Sequence, residues 1–331
     1  MIIPVKTSTG EYNIYLERGF LQKSGIVLNL NRRVLIVTDS GVPEAYAKAV
    51  ASQCKLPFIV TIPQGEQSKH FDNYKMLLAK MVELDFTRTD CVIAVGGGVV
   101  GDLAGFVAAT FMRGVDFYNI PTTVLSQVDS SIGGKVAIDF EGYKNIVGAF
   151  YPPKAVIIDP DTLKTLDERQ ISNGLSESIK MALTSDSELF RIFESDSLDM
   201  DLIIEKSLKI KKFVVEEDEK EQGLRRILNF GHTLAHAIES QSNMTDIYHG
   251  EAVALGMLPM CSKAVRERLL PVLEKLNLPT TFKLDMKAVA TAICHDKKAD
   301  GDYITVVFVP EVGKWEMKKL PIAELIGGVV K

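Results

Sequence analysis

The sequence predicts an α/β N-terminal domain with a mostly parallel sheet, followed by an all-α C-terminal domain, and three observations carry that prediction. Short apolar runs rich in β-branched residues alternate with helix-length stretches through the first half. Turns bearing glycine or aspartate close those runs. From residue 169 to 297 the pattern is almost wholly helical. A chain of 331 residues exceeds what one core usually serves, so two domains are expected, 1–159 and 160–331.

Taken in order, MIIPVKTSTGEYNIYLERG alternates like a hairpin and lacks the charged and apolar regions of a signal peptide. The runs RVLIVT (33–38), PFIVTI (57–62) and CVIAV (91–95) are continuous rather than alternating, as strands buried on both faces are. Between them, Pro43 to Gln53 and Phe71 to Leu84 are long enough for crossover helices. Ligands of such sheets sit at the carboxyl ends of the strands, where Asp39-Ser40-Gly41, Pro63-Gln64-Gly65 and Gly96 to Asp102 fall. The last of these follows a strand, satisfies GxGxxG and opens a helix expected over Leu103 to Thr110. Its glycines let the backbone approach a pyrophosphate, although tight turns use glycine for other reasons too. It follows a late strand, and the acidic residue expected about 20 positions on is absent. Asp102 would stand at the helix start as a cap or a cofactor contact.

Further on lie Arg113-Gly114, a strand from Asp116 to Ile120, Pro121-Thr122-Thr123, the turn Asp129-Ser130-Ser131-Ile132-Gly133-Gly134-Lys135, and Lys144-Asn145. After the strand AVIID (155–159), a helix carries Glu177 and Lys180 one turn apart, and another, Leu202 to Val215, carries Lys209, Lys211 and Lys212. A short strand is expected over Tyr303 to Val309.

Arg225 to Glu251 contains three of the five histidines, His232, His236 and His249. Arg225, Asn229, His232 and His236 are spaced by four, three and four residues, which places them on one face of a single helix. Paired imidazoles point to a divalent metal, but HExxH is absent, and spacing alone leaves open which two of the three histidines bind. Charge narrows the partners: 38 basic against 43 acidic residues give a net charge of −5, with no basic field for nucleic acid, so phosphate recognition must be local. Four separated cysteines without CxxC spacing read as reduced thiols of a cytoplasmic protein, and no apolar run reaches the roughly 20 residues of a membrane span.

The segments GGGVVGDLAGFVA, IPTTVLSQVDSSIGGK, KNIVGAFYPP, GLSESIKMAL, EEDEKEQGLRRILNFGHTLAHAIE and HGEAVALGM, in this order from about residue 33 to 298, together resemble 3-dehydroquinate synthase. The resemblance implies a Rossmann-like NAD-binding domain, a helical metal- and substrate-binding domain, a homodimer, and a divalent ion, Zn or Co, held by Glu177, His232 and His249. It places His236 against the substrate as a proton carrier, so the i, i+4 pair is not the ligand pair. Around NAD it implies Asp39, Glu66, Lys69, Gly97, Gly98, Asp102, Thr122, Thr123, Lys135, Lys144, Thr162 and Thr165. Around the substrate it implies Arg113, Asp129, Lys135, Lys144, Asn145, Lys211, Arg225, Lys297 and Lys298, with Lys135, Lys180, Arg225, Asn229 and His236 taking part in catalysis.

The implied reaction turns 3-deoxy-D-arabino-heptulosonate 7-phosphate into 3-dehydroquinate and phosphate by transient NAD-dependent oxidation, elimination, re-reduction and intramolecular aldol closure. Gly41, Tyr143, Ser176, Ser178 and Ala235 depart from the family pattern. Two alternatives remain: a sister sugar-phosphate cyclase acting on another substrate, and a metal-dependent polyol dehydrogenase.

Overall fold

The computed structural model describes residues 1–221, 223–241, 247–281, 289, 293, 299–301 and 303–327. The chain forms two compact units, Met1–Leu166 and Asp167–Lys331.

The first unit runs through β1 (Ile2–Thr7), β2 (Gly10–Leu16), β3 (Arg33–Asp39), α1 (Glu44–Ala51), β4 (Leu56–Ile62), α2 (Phe71–Glu83), β5 (Cys91–Gly96), α3 (Gly98–Thr110), β6 (Asp116–Pro121), β7 (Lys135–Phe140), β8 (Tyr143–Phe150) and β9 (Ala155–Ile158). Seven strands join in the order β1-β2-β9-β6-β5-β3-β4, parallel except for the β1–β2 hairpin at one edge. The continuous apolar runs are explained by what lies on either side. Leu35, Val37, Val92 and Ala94 enter a core with α2 and α3, while their neighbours Val34, Ile36, Cys91 and Ile93 enter another with α1. Two-residue periodicity thus feeds two cores at once, and neither face of a central strand is left polar. The hairpin of β7 and β8 forms a separate two-stranded sheet.

The second unit is helix-rich: α4 (Glu168–Ser185), α5 (Ser187–Glu194), α6 (Met200–Glu217), α7 (His232–Gln241), α8 (His249–Met257) and α9 (Lys263–Lys275). Side chains of Asp167, Asp186, Asp199 and Ser262 cap the starts of α4, α5, α6 and α9 by accepting from first-turn amides. An antiparallel sheet of β10 (Ala299–Asp300), β11 (Tyr303–Glu311) and β12 (Lys314–Pro321) joins them where an all-α domain with one short strand, Tyr303 to Val309, was expected. The run Tyr303–Val309 is alone apolar enough to announce itself; β12 is mostly exposed and charged, so its sequence carries no alternation.

Two local expectations are corrected. Helix α3 begins at Gly98, so Asp102 lies inside it rather than capping it. The single helix expected to carry Arg225, Asn229, His232 and His236 is broken: Leu224–Asn229 is a 3-10 turn, Phe230 is extended, and Gly231 sits at φ +81° before α7 starts at His232. Glycine alone adopts that backbone without strain. The i, i+4 register survives only between His232 and His236. Among the described residues no helix is long and apolar enough to cross a membrane.

Candidate active site

In the second unit, α4, α7 and α8 bring Glu177, His232 and His249 together, each offering one ligand atom within 4.8 Å of the others. His249 Nε2 lies 3.5 Å and His232 Nε2 3.8 Å from Glu177 Oε1. The opposite ring nitrogens meet protein acceptors, His232 Nδ1 the Phe230 carbonyl at 3.2 Å and His249 Nδ1 the Glu239 carboxylate at 3.4 Å. A proton at Nδ1 on both rings would leave both Nε2 lone pairs for a cation, the tautomer such ligands need. His236, one turn beyond His232, is exposed, its ring 5.5 Å from that of His232 and 6.5 Å from that of His249.

Packing explains the convergence. The first turn of α8 is clamped onto α4 by a two-pronged Arg169–Glu251 pair at 2.6 and 2.8 Å. The Gly250 amide also donates to Asn173 Oδ1 at 2.6 Å. A Cβ at Gly250 would stand 1.9 Å from the Asn173 carbonyl oxygen, so only glycine lets His249 sit this close to the Glu177 helix. The family departures Ser176 and Ser178 are buried and satisfied: Ser176 donates to the Asn173 carbonyl, and Ser178 accepts from Ser207 of α6.

The charges suit a bound cation. Glu177 is fully buried, and among the described residues neither of its oxygens has a hydrogen-bond partner, although Lys180 stands in ion-pair contact. Burial alone would raise its pKa, but Lys180 and the two imidazoles outweigh that and hold it well below the usual carboxylate range. Burial and Lys180 push His232 well down, which keeps it neutral. For His249 burial is outweighed by Glu177 and Glu239, and its pKa rises to about 9. One anionic oxygen donor and two imidazoles with a position left open match the donor set of a catalytic zinc-type site.

Other expected residues of this unit are held nearby in sequence. Arg225 is buried and donates from Nη1 to the Glu219 carbonyl at 2.6 Å, Asn229 donates to Glu221, and Lys211 is buried in α6. Lys297 and Lys298 lie outside the described residues. Glu239 was missed in the sequence, although it continues the His232, His236 face by three residues.

In the first unit, Lys69 is 4% exposed and pairs with Asp102 at 2.9 Å and Glu66 at 3.4 Å. Burial raises the Asp102 carboxyl, Lys69 offsets this only in part, and its pKa stands at about 6. Among the described residues no side chain caps α3 at Gly97, so first-turn amides are left for an anion. A Cβ on Gly97 would come 3.1 Å from Thr123, and one on Gly98 3.2 Å from the Ser130 hydroxyl. Asp39 accepts from the Gly41 amide, and the Gln64 side chain fills the space beside Gly41 where a larger residue would lie. The Thr162 hydroxyl already donates to the Asp159 carbonyl and accepts from Gln127, while Thr165 meets Tyr46. Arg113 has φ +71°, and Lys135 and Lys144-Asn145 lie on the β7–β8 hairpin.

Comparison with known proteins gives the context. The family model described as 3-dehydroquinate synthase N-terminal matches residues 59–173, and the one described as 3-dehydroquinate synthase C-terminal matches 174–299. A 3-dehydroquinate synthase of Enterococcus faecalis is 41% identical over an alignment of 348 residues, covering 98% of this chain and 97% of that one. Among solved structures, the 2-epi-5-epi-valiolone synthase of Streptomyces hygroscopicus, with NAD+ and Zn2+ bound, superposes with a TM-score of 0.88 at 25% identity, covering 98% of this chain and 96% of that one. A 2-deoxy-scyllo-inosose synthase complexed with carbaglucose-6-phosphate, NAD+ and Co2+ shares the fold with a TM-score of 0.87 at 24% identity, covering 99% of each chain. With consecutive family models running from residue 59 to 299 and a relative 41% identical along nearly its whole length, this chain belongs to the 3-dehydroquinate synthase family.

Proposed function

We propose that the chain converts 3-deoxy-D-arabino-heptulosonate 7-phosphate into 3-dehydroquinate and inorganic phosphate, using NAD and one divalent ion. The observation that carries this reading is the meeting of Glu177, His232 and His249 around a carboxylate with no hydrogen-bond partner among the described residues, in a chain of this family.

Glu177, His232 and His249 would hold the ion, and the Gly97-Gly98 turn with Asp39, Glu66, Lys69, Asp102, Thr122, Thr123, Thr162 and Thr165 would hold NAD. When bound, NAD supplies a reversible hydride acceptor and the ion a Lewis acid beside the same substrate alcohol. The chain's own residues do the rest. Lys180 keeps Glu177 ionised, and the Phe230 carbonyl and Glu239 keep both ligand rings aimed. His236 is exposed at the edge of the cluster, where it can take the proton of the substrate hydroxyl oxygen and return it. Arg225, Lys135, Lys144, Asn145 and the Lys297-Lys298 pair supply donors to phosphate, with Arg113, Asp129, Lys180, Lys211 and Asn229 orienting the ring. The cytoplasmic homodimer that the resemblance implies belongs to the same reading and accords with the free thiols Cys54, Cys91 and Cys261; sedimentation of the purified protein tests the dimer.

The deciding assay is phosphate release from the heptulosonate phosphate with and without NAD and a chelator. Release that depends on NAD and is lost with the chelator is expected. Turnover of glucose 6-phosphate or sedoheptulose 7-phosphate instead would make the chain a sister cyclase. Net accumulation of NADH would make it a polyol dehydrogenase.

A further inference from the structure

The β7–β8 hairpin is irregular at one place. Ile138 faces Val147 and Phe140 faces Tyr143, so Lys144, Asn145 and Ile146 of β8 stand opposite Asp139 alone. The bulge throws the Lys144-Asn145 pair out of the ladder, with Asn145 at φ +56°. Asparagine tolerates that left-handed backbone better than most residues, but something must hold it there. Asp139 does so: its Oδ1 accepts the Asn145 backbone amide at 2.8 Å.

Asp139 is also anchored on its other side. Its own amide donates to the Lys69 carbonyl at 2.8 Å, and a parallel bridge joins it to His70. Lys69 in turn reaches Asp102 at 2.9 Å, one turn into α3 beyond the glycine cluster. A continuous run of contacts therefore links Asp102 and Lys69, on the cofactor side, to Lys144-Asn145, on the substrate side, and Asp139 is its joint.

We propose that Asp139 is a positioning residue for the reaction: it staples the β8 bulge so that Lys144-Asn145 is presented to the substrate in fixed register with the Lys69–Asp102 pair. It acts as a hydrogen-bond acceptor rather than as a charge. The proposal rests on the reading that Asn145 meets the substrate and Lys69 and Asp102 lie along NAD.

The test compares Asp139→Ala, Asp139→Asn and Asn145→Ala, each with its melting temperature, its KM and kcat, and amide exchange of the hairpin. Loss of one well-made hydrogen bond corresponds to roughly tenfold. Asp139→Ala is expected to raise the KM for the sugar phosphate by about that factor, and to speed exchange at Asn145 by a similar factor, with the melting temperature little changed. Asp139→Asn keeps an acceptor oxygen and should restore both. A KM unchanged in Asp139→Ala but raised in Asn145→Ala would overturn the proposal. Failure of Asp139→Asn to rescue would overturn it as well, by assigning the effect to charge beside Lys69. A KM unchanged in Asn145→Ala would instead overturn the substrate-facing reading on which the proposal stands.

Discussion

His249 shows how much a single side chain depends on its supports: one nitrogen faces Glu177, the other Glu239, and the residue after it has no room for a Cβ. A three-donor site cannot spare a donor, so His249→Ala should lose bound metal and activity while circular dichroism stays that of the parent. Normal metal content by atomic absorption would remove His249 from the ligand set. Asp102 offers a second residue-scale test, through pH. Its carboxyl titrates near 6 in the fold, above the ordinary aspartate range, so the folded chain binds the proton more tightly than the unfolded one. The group therefore costs nothing below about pH 4, and its cost grows as pH rises and is complete above about 6. Relative to the parent without nucleotide, Asp102→Asn should gain roughly 2 to 3 kcal/mol of stability between pH 4 and pH 7. A difference that stays flat with pH in denaturant titrations would show a solvated carboxylate. The histidines and Glu177 were legible by spacing and resemblance. Asp139 and Glu239 were not, because a residue that works through another leaves no motif of its own.

Elements decide where those side chains arrive. Strands β3 and β5 were readable because both faces are buried and their composition says so at every position. The break before α7 was not: Arg225, Asn229, His232 and His236 keep helical spacing straight through it, while the backbone turns at Phe230 and Gly231 after a 3-10 segment. A Cβ there would meet Met257 Cγ and the Val253 carbonyl oxygen, both at 3.0 Å, besides forcing a left-handed backbone. Gly231→Ala should therefore cost about 1 to 3 kcal/mol in urea unfolding. Because His232 is the next residue, it should also weaken metal affinity, read by competition with a chromophoric chelator. Unchanged affinity would mean that α7 starts independently of the turn before it. The β10–β12 sheet was half legible, since β12 is exposed and offers no apolar alternation.

At the scale of the molecule, the proposed reading gives each unit one part of the chemistry, so loading should be felt locally. A divalent ion at a hundredfold excess over its dissociation constant should stabilise the protein by about 2.7 kcal/mol. Hydrogen exchange should place the added protection on α4, α7 and α8 rather than on the seven-stranded sheet. Protection spread evenly over both units would show that the ion acts on the whole chain.

The order of the large sheet has a consequence for how the protein comes into being. Strand β2 pairs on its inner side with β9, Asn13 beside Ala155 and Leu16 beside Ile158. The β1–β2 hairpin must thus wait for a partner made more than a hundred residues later, roughly 7 to 28 s at common translation speeds. Throughout that interval the inner edge of β2 is an open row of amides and carbonyls, a template for pairing with the wrong strand.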